Sequence, residues 1–264
     1  MKTGLHKNIP FKDYLALPYI SNSYLGKLAE CPASVKIERV DTPSMILGRA
    51  AHTLILEGLN IFSQQYAKAP DIDKRTKEGR AALMVSLLEN EGKILLSADD
   101  FQKIIEIREA VLAHPFAKKL LAENITEQTI IWEDRESGLT CKGRPDAIPA
   151  KDKYTLIDLK TTADASVEGF TRSIAKYGYA RQAAFYIDGY GAASQNYIDS
   201  FVFIAVETTP PYMVGCYLLD YEFMGLGRNE YRRLLTLEKN CREAGEYPHY
   251  LNDGLTQIFK PRWL

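Results

Sequence analysis

The sequence predicts an α/β chain in which a helical N-terminal section precedes a core of strands and helices. Three observations point there. Between about residue 20 and residue 123 the apolar residues recur at helical spacing. From residue 124 the character changes to short runs rich in β-branched and aromatic residues, broken by turn residues. The resulting order of helices, three strands, a helix, two strands and a last helix is not the strict alternation of a Rossmann fold. With 264 residues, 46% hydrophobic and 25% charged, the chain suits one domain with a substantial core. We expect a single unit over 1–264, with 1–123 as its helical section and 124–264 as its core and C-terminal helix.

The elements follow in order. "YISNSYLGKLAECPASVK" opens on a Ser/Asn cluster suited to an N-cap and reads as a short helix ended near Cys31 and Pro32. "SMILGRAAHTLILEG" predicts a second helix, with Leu47, Ala51 and Leu54 or Ile55 on a buried stripe and His52 in its middle. "APDIDKRTKEGRAALMVSLLENEG" reads as a charged loop, basic over 74–80, that leads into a helix. "SADDFQKIIEIREAVLAHPFAKKLLAE" places Ser97 three residues before Asp100, a capping pattern, ahead of a clear helical period. Residues 129–133, 139–148 and 154–161 predict a three-stranded meander joined by "DRESG" and "PAKDK" turns. One or two helices come next, interrupted at Gly178, then two strands around a turn at 208–211, then a last helix over about 221–244.

Composition excludes several classes. The first twenty residues lack the apolar stretch of a signal peptide, and no run approaches the roughly 20 apolar residues that span a bilayer, so no membrane role and a cytoplasmic setting are expected. The four cysteines, Cys31, Cys141, Cys216 and Cys241, form no C-x-x-C pair, which argues against a zinc ribbon, a short-spaced iron–sulfur set or a disulfide framework. A net charge of −1 gives no global attraction to nucleic acid, so DNA binding requires local basic patches.

The chemistry concentrates in "GRPDAIPAKDKYTLIDLKTT", residues 143–162. In a strand, alternate side chains share a face, so Leu156, Asp158 and Lys160 lie together and Ile157 and Leu159 oppose them. Charges inside such a strand are costly unless paired or bound to an ion. If the second and third strands are antiparallel neighbours, Asp146 and Asp158 face one another across the ladder. Two close carboxylates repel unless a cation sits between them, and hard oxygen ligands suit Mg²⁺. Lys160 on the same face completes a set suited to metal-assisted phosphodiester hydrolysis. On spacing alone, this metal site and a structural ion pair stand about even.

With its neighbouring segments, the stretch resembles the PD-(D/E)XK nucleases, Asp158-Leu159-Lys160 filling the final part of that motif. It is most similar to the branch that holds the RecE-type (exodeoxyribonuclease VIII), phage-lambda and RecB nucleases. "RQAAFY" supplies a Q-x-x-x-Y element through Gln182 and Tyr186, one helical turn apart. "GRAAH" resembles the helix that provides a histidine ligand, here His52, and "ITEQTIIWEDRESGLTCKGRPD" resembles the strand that bears a glutamate, here Glu127. "ISNSYLGKLAECPASVK" resembles the N-terminal element of RecE-like proteins, with Ser21 and Ser23. The likeness runs from about residue 20 to about 190.

The resemblance implies a restriction-endonuclease-like core with a mixed central sheet flanked by helices. It also implies a Mg²⁺-dependent 5′→3′ exonuclease that digests double-stranded DNA ends and leaves 3′ tails for recombination. Two ions are implied, Mn²⁺ being an accepted substitute, with His52, Asp146, Asp158 and the Leu159 carbonyl as ligands. Lys160, Asp158, Asp146, Glu127, Gln182 and Tyr186 would form the catalytic set. A homo-oligomeric ring follows from the same likeness, a tetramer ahead of a trimer, with a RecT-like single-strand annealing protein as partner and a bacterial or phage genome as source. Arg172 and Lys176 read as DNA-backbone contacts, and Ser21 and Ser23 as phosphate contacts at a helix N-terminus. The plainer readings are a core histidine at His52, a solvated carboxylate at Glu127, packing at Gln182 and Tyr186, and simple caps at the serines. The alternatives in function are a catalytically idle DNA-binding or assembly subunit, and another RecB-like nuclease with endonuclease activity.

Overall fold

A computed structural model describes the chain except for residues 39, 74, 123, 150–153, 251–253, 256 and 261–264 and the side chain of Pro149. Strand β1 (Gly4–His6) and helices α1 (Phe11–Ala16) and α2 (Asn22–Glu30) come first. A 3-10 turn, α3 (Pro43–His52), a π-helical turn at Thr53–Glu57 and α4 (Gly58–Gln65) follow. Next are β2 (Tyr66–Lys68), α5 (Lys77–Glu89), β3 (Ile94–Leu96), α6 (Ala98–Ala113) and α7 (Pro115–Leu121). The core then holds β4 (Asn124–Thr126), β5 (Thr129–Glu133), β6 (Thr140–Gly143), β7 (Ala147–Pro149) and β8 (Thr155–Thr162). Helices α8 (Val167–Tyr177) and α9 (Tyr179–Ser194), strands β9 (Ser200–Glu207) and β10 (Val214–Leu218), and α10 (Tyr221–Ala244) complete it.

Local chemistry accounts for many boundaries. The side chains of Ser21, Thr42, Thr76, Ser97 and Asp220 accept the orphan amides at their helix starts. Gly178, at φ +67°, turns the chain between α8 and α9 in the left-handed conformation glycine tolerates best. The caps at Ser97 and the break at Gly178 are as the sequence predicts, as is the span of α10.

The central sheet is mixed, in the order β10-β9-β8-β7-β4, with β8 and β9 parallel and the other neighbours antiparallel. Its two faces carry two cores, as the alternation in β8 requires. Leu156, Phe201, Phe203 and Ala205 pack toward α8, α9 and α10, whereas Ile157, Leu159, Ile204 and Val206 pack toward α3 and α6.

The predicted meander is not one sheet. The second predicted strand, 139–148, splits into β6 and β7. Strands β5 and β6 pair with β1 in a separate three-stranded sheet, while β7 crosses to the central sheet between β4 and β8. The break falls at Arg144-Pro145-Asp146, where proline has no amide to give a ladder. Strands β1, β2, β3 and β4, three residues each, were not foreseen; runs that short carry no period to read. The predicted second helix, 44–58, is α3 followed by the π-helical turn, and α4 continues from Gly58. Residues 77–80 of the expected basic loop form the first turn of α5, and Lys74, like residues 150–153 of the "PAKDK" turn, lies outside the described residues.

Candidate active site

Strand pairing assembles the acidic groups. Thr126 opposes Ala147, and Ala147 opposes Ile157. One step further along these antiparallel ladders, Glu127, Asp146 and Asp158 stand in a single row across three strands, and the Glu127 amide donates to the Asp146 carbonyl at 3.2 Å. Asp146 and Asp158 are buried, Asp158 at 1% exposure.

Each carboxylate has its own counterpart. Asp158 Oδ2 lies 2.5 Å from Lys160 Nζ, and Asp158 Oδ1 accepts from Gln182 Nε2 at 2.8 Å. Asp146 Oδ2 accepts the Leu159 amide at 2.7 Å and lies 3.3 Å from His52 Nδ1. Glu127 Oε2 lies 2.5 Å from Arg144 Nε. His52 ends α3, one turn after Gly48, where a Cβ would approach Thr161 Oγ1 of β8 to 3.1 Å. That close crossing brings His52 to the row.

Electrostatics follow from burial and crowding. Burial, then the neighbouring charge of Asp146, push Asp158 up to about 6. Burial and Asp146 likewise push Glu127 up to about 7, against the pull of Arg144. For Asp146, burial is outweighed by His52, Lys160 and the Leu159 amide, and its pKa falls below the usual carboxylate value. Burial also opposes the charged forms of His52 and Lys160. Asp146 nevertheless lifts His52 to about 9, and Asp158 and Asp146 raise Lys160.

Gln182 and Tyr186 lie on the inner face of α9. Gln182 touches Asp158 directly, whereas the Tyr186 ring packs on Gly143, where a Cβ would meet it at 3.0 Å. Burial, with Tyr14, Asp158 and Asp146 nearby, raises the Tyr186 hydroxyl well above its ordinary value. The other expected residues lie apart from this cluster in role. Ser21 caps α2 by accepting the Tyr24 amide at 3.2 Å, and Ser23 is exposed on that helix. Arg172, 63% exposed, pairs with Glu168 at 2.6 Å and Asp164 at 3.4 Å, and Lys176 lies over the Tyr177 ring.

Three residues of the site escaped the sequence reading. Tyr179 places its ring 4.8 Å from Lys160 Nζ. Arg144 binds Glu127, donates to the Ile9 carbonyl at 2.9 Å and faces the Phe11 and Tyr14 rings. Lys142, two residues earlier, donates to the carbonyls of Tyr14, Leu15 and Leu17 at 2.7–3.1 Å, a cation at the C-terminal end of α1. Residues 9–17 thus roof the Glu127 end of the row. The signal was present in the arginine of "GRPD", but its partners are remote in sequence.

Among the described residues, no three His, Cys, Asp or Glu side chains converge as a ready-made metal cage. The donor set still fits a hard divalent cation. Asp146 raises the pKa of Asp158, and a cation between the two would relieve that repulsion.

A mixed sheet that presents Asp146, Asp158 and Lys160 at adjoining strands, with a flanking helix supplying Gln182, defines a PD-(D/E)XK-like fold. Residues 21–254 match the PDDEXK-like domain of unknown function, DUF3799, and the chain belongs to that family. It is similar in fold to a Eubacterium rectale crystal structure named "Putative exonuclease", at a TM-score of 0.64 and 14% identity over 97% of both chains. A phage related exonuclease from Haemophilus somnus 129PT aligns at a TM-score of 0.37 and 13% identity, over 74% of this chain and 95% of that one. An alkaline exonuclease from Laribacter hongkongensis aligns at 0.30 and 12%, over 88% and 95%. No curated relative matches the sequence.

Proposed function

We propose that this protein is a metal-dependent DNA nuclease, and within that class a RecE-type 5′→3′ exonuclease that trims double-stranded ends to leave 3′ tails for recombination. The observation that carries the reading is the row of Glu127, Asp146 and Asp158 with Lys160 against its last member. Membership of a PDDEXK-like family supports it, as does a shared fold with a protein whose name includes exonuclease.

His52, Asp146, Asp158 and the Leu159 carbonyl would hold Mg²⁺, two ions in all, with Mn²⁺ as a substitute. Bound there, a divalent ion supplies positive charge that offsets the charge on the attacking and leaving oxygens of a phosphodiester. Lys160, held charged by Asp158, orients the attacking water and faces the phosphate. The water adds to phosphorus in line with the departing 3′-oxygen. Gln182 fixes Asp158, and Tyr186 holds Gln182 and β6 in place or touches the terminal nucleotide. Ser21, Ser23, Arg172 and Lys176 are the proposed backbone contacts. A ring of four or three chains, a RecT-like partner and a cytoplasmic setting in a bacterium or phage belong to the same reading. No helix among the described residues is long and apolar enough to cross a membrane.

The test uses linear duplex DNA labelled at the 5′ or the 3′ end, with Mg²⁺ or EDTA. Mg²⁺-dependent early release of 5′ label, with closed circles untouched, is the expected outcome. Cutting of circles would replace it with an endonuclease, and DNA binding without cleavage under any divalent ion would replace it with an assembly subunit.

A further inference from the structure

Lys160 is held between two groups of different character. On one side Asp158 Oδ2 lies 2.5 Å from its ammonium, and on the other the ammonium stands over the Tyr179 ring, 4.8 Å from the centroid. The charge is largely enclosed, with 17% of the side chain exposed. Burial raises the Tyr179 hydroxyl above its ordinary value, so Tyr179 stays neutral and offers Lys160 a ring face, not a phenolate.

Several elements converge to place that ring. Gly178, at φ +67°, ends α8 and restarts the chain as α9 with Tyr179 as its first residue. The ring packs against Phe170 of α8 at 6.0 Å and Phe203 of β9 at 5.6 Å, with Tyr177 at 5.7 Å. The parallel register of β8 and β9 sets Phe203 beside Asp158 and the small Ala205 beside Lys160. One face of the sheet thus carries both the cation and the support of its ring.

The two partners of Lys160 differ in their other duties. Asp158 also accepts from Gln182 and is a proposed metal ligand, so a divalent ion at the row draws on the same carboxylate that holds Lys160. The Tyr179 ring has no such competing demand. We propose that Tyr179 is a positioning residue, its ring face keeping the Lys160 ammonium aimed at the phosphate while Asp158 serves the metal. This role rests on the nuclease reading of the site.

The test compares three replacements of Tyr179 in the full chain. Tyr179→Leu keeps an apolar filling without a ring face, and a trifluorinated phenylalanine keeps the ring while withdrawing charge from its face. Both should lower the single-turnover cleavage rate at saturating DNA and Mg²⁺ about tenfold, with the DNA dissociation constant unchanged. Tyr179→Phe should recover most of that loss. A second readout needs no activity. In metal-free protein labelled on lysine, the Lys160 ε-methylene protons should lie upfield of the ordinary lysine position, moved by the ring current of Tyr179. Their absence from Lys160→Arg assigns them. The displacement should persist in Tyr179→Phe and vanish in Tyr179→Leu. A Lys160 signal at the ordinary position in wild type would overturn the proposal. So would a fluorinated variant that cleaves as fast as Tyr179→Phe, the result of packing alone. A wild type that cleaves no DNA would overturn the nuclease reading and this role together, and that control separates it from a failure of Tyr179 alone.

Discussion

The two ends of the carboxylate row are held in different ways. At one end Asp158 is sealed into the core, gripped by Gln182 of α9 and by Lys160 of its own strand. At the other end Glu127 leaves β4 with φ +55°, an uncommon backbone state for glutamate, and pairs with Arg144 beneath residues 9–17. Asp146 lies between them and takes His52 and the Leu159 amide. The partners of Asp158 are short-range or deep in the main core, so its geometry is set by the sheet itself. The partners of Glu127 come from the chain's N-terminal segment, so that end depends on a separate piece of structure. Chemistry is therefore expected to centre on Asp158, with Glu127 as a tuning group.

Substitutions at the two ends should differ in effect if the contrast holds. Lys160→Ala should reduce DNA cleavage by about 10³-fold while sparing DNA binding, the scale of losing a positioned charge at a reacting phosphate. A single-turnover assay beside a filter-binding assay reads both, and full residual cleavage would remove Lys160 from the mechanism. His52→Ala, at the middle of the row, should cost roughly 10–100-fold in metal affinity or activity. Calorimetric titration with Mn²⁺ measures the affinity directly. At the far end Glu127→Gln should lower the cleavage rate by less than about tenfold, a second-tier effect on that scale. A loss as deep as that of Lys160→Ala would erase the proposed difference between the two ends.

Stability tests the same contrast without catalysis. Lys142→Met removes charge-assisted hydrogen bonds to three carbonyls at the end of α1, and each such bond is worth about 1.5–3 kcal/mol. The variant should lose thermal stability by an amount in that range or above, with little change in cleavage rate if the roof over Glu127 only tunes the site. The smallest effect is a pH dependence in EDTA. His52, raised to about 9, contributes stability that is complete below its ordinary value near 6.5 and is lost as pH rises through 9. Asp158 and Glu127, raised to about 6 and about 7, bind protons more tightly folded than unfolded, so stability also falls as pH climbs from about 4 to 7. Asp146, with a lowered pKa, acts in the opposite sense only toward the acid end. The melting temperature of the metal-free protein should therefore decline from pH 5 to about pH 8, above which Lys142, pushed down to about 8 by burial, acts in the opposite sense, and His52→Ala should flatten the upper part of that decline. A wild-type melting temperature that rises over this window would contradict the charge arrangement of the row.

Much of the site was legible because it is local. Period-two alternation put Asp158 and Lys160 on one face of β8, and helical spacing put Gln182 and Tyr186 on one side of α9. Ser97 and Gly178 announced a helix start and a helix break by their own backbone chemistry. Strand partners were not legible in the same way. Nothing within residues 139–148 says that the chain changes sheets at Pro145, and nothing within residues 4–6 says that they will lie against β5. Arg144 stood in plain view beside Asp146, yet its partners Glu127 and Ile9 and the rings of Phe11 and Tyr14 come from segments no local pattern connects.

By itself, then, the sequence determined the kind of most long elements, the face of β8 that Asp158 and Lys160 share and the residue types gathered for chemistry. Those properties follow from backbone periods and caps that act over a few residues. Tertiary structure decided that the strands pair so that Glu127 joins Asp146 and Asp158 in one row, that the end of α3 sets His52 against Asp146, and that residues 9–17 cover one end and not the other. Pairing between distant segments is set by which burial and which hydrogen bonds win across the whole chain, and loop closure disfavours the competing pairings too weakly and too evenly to choose among them locally.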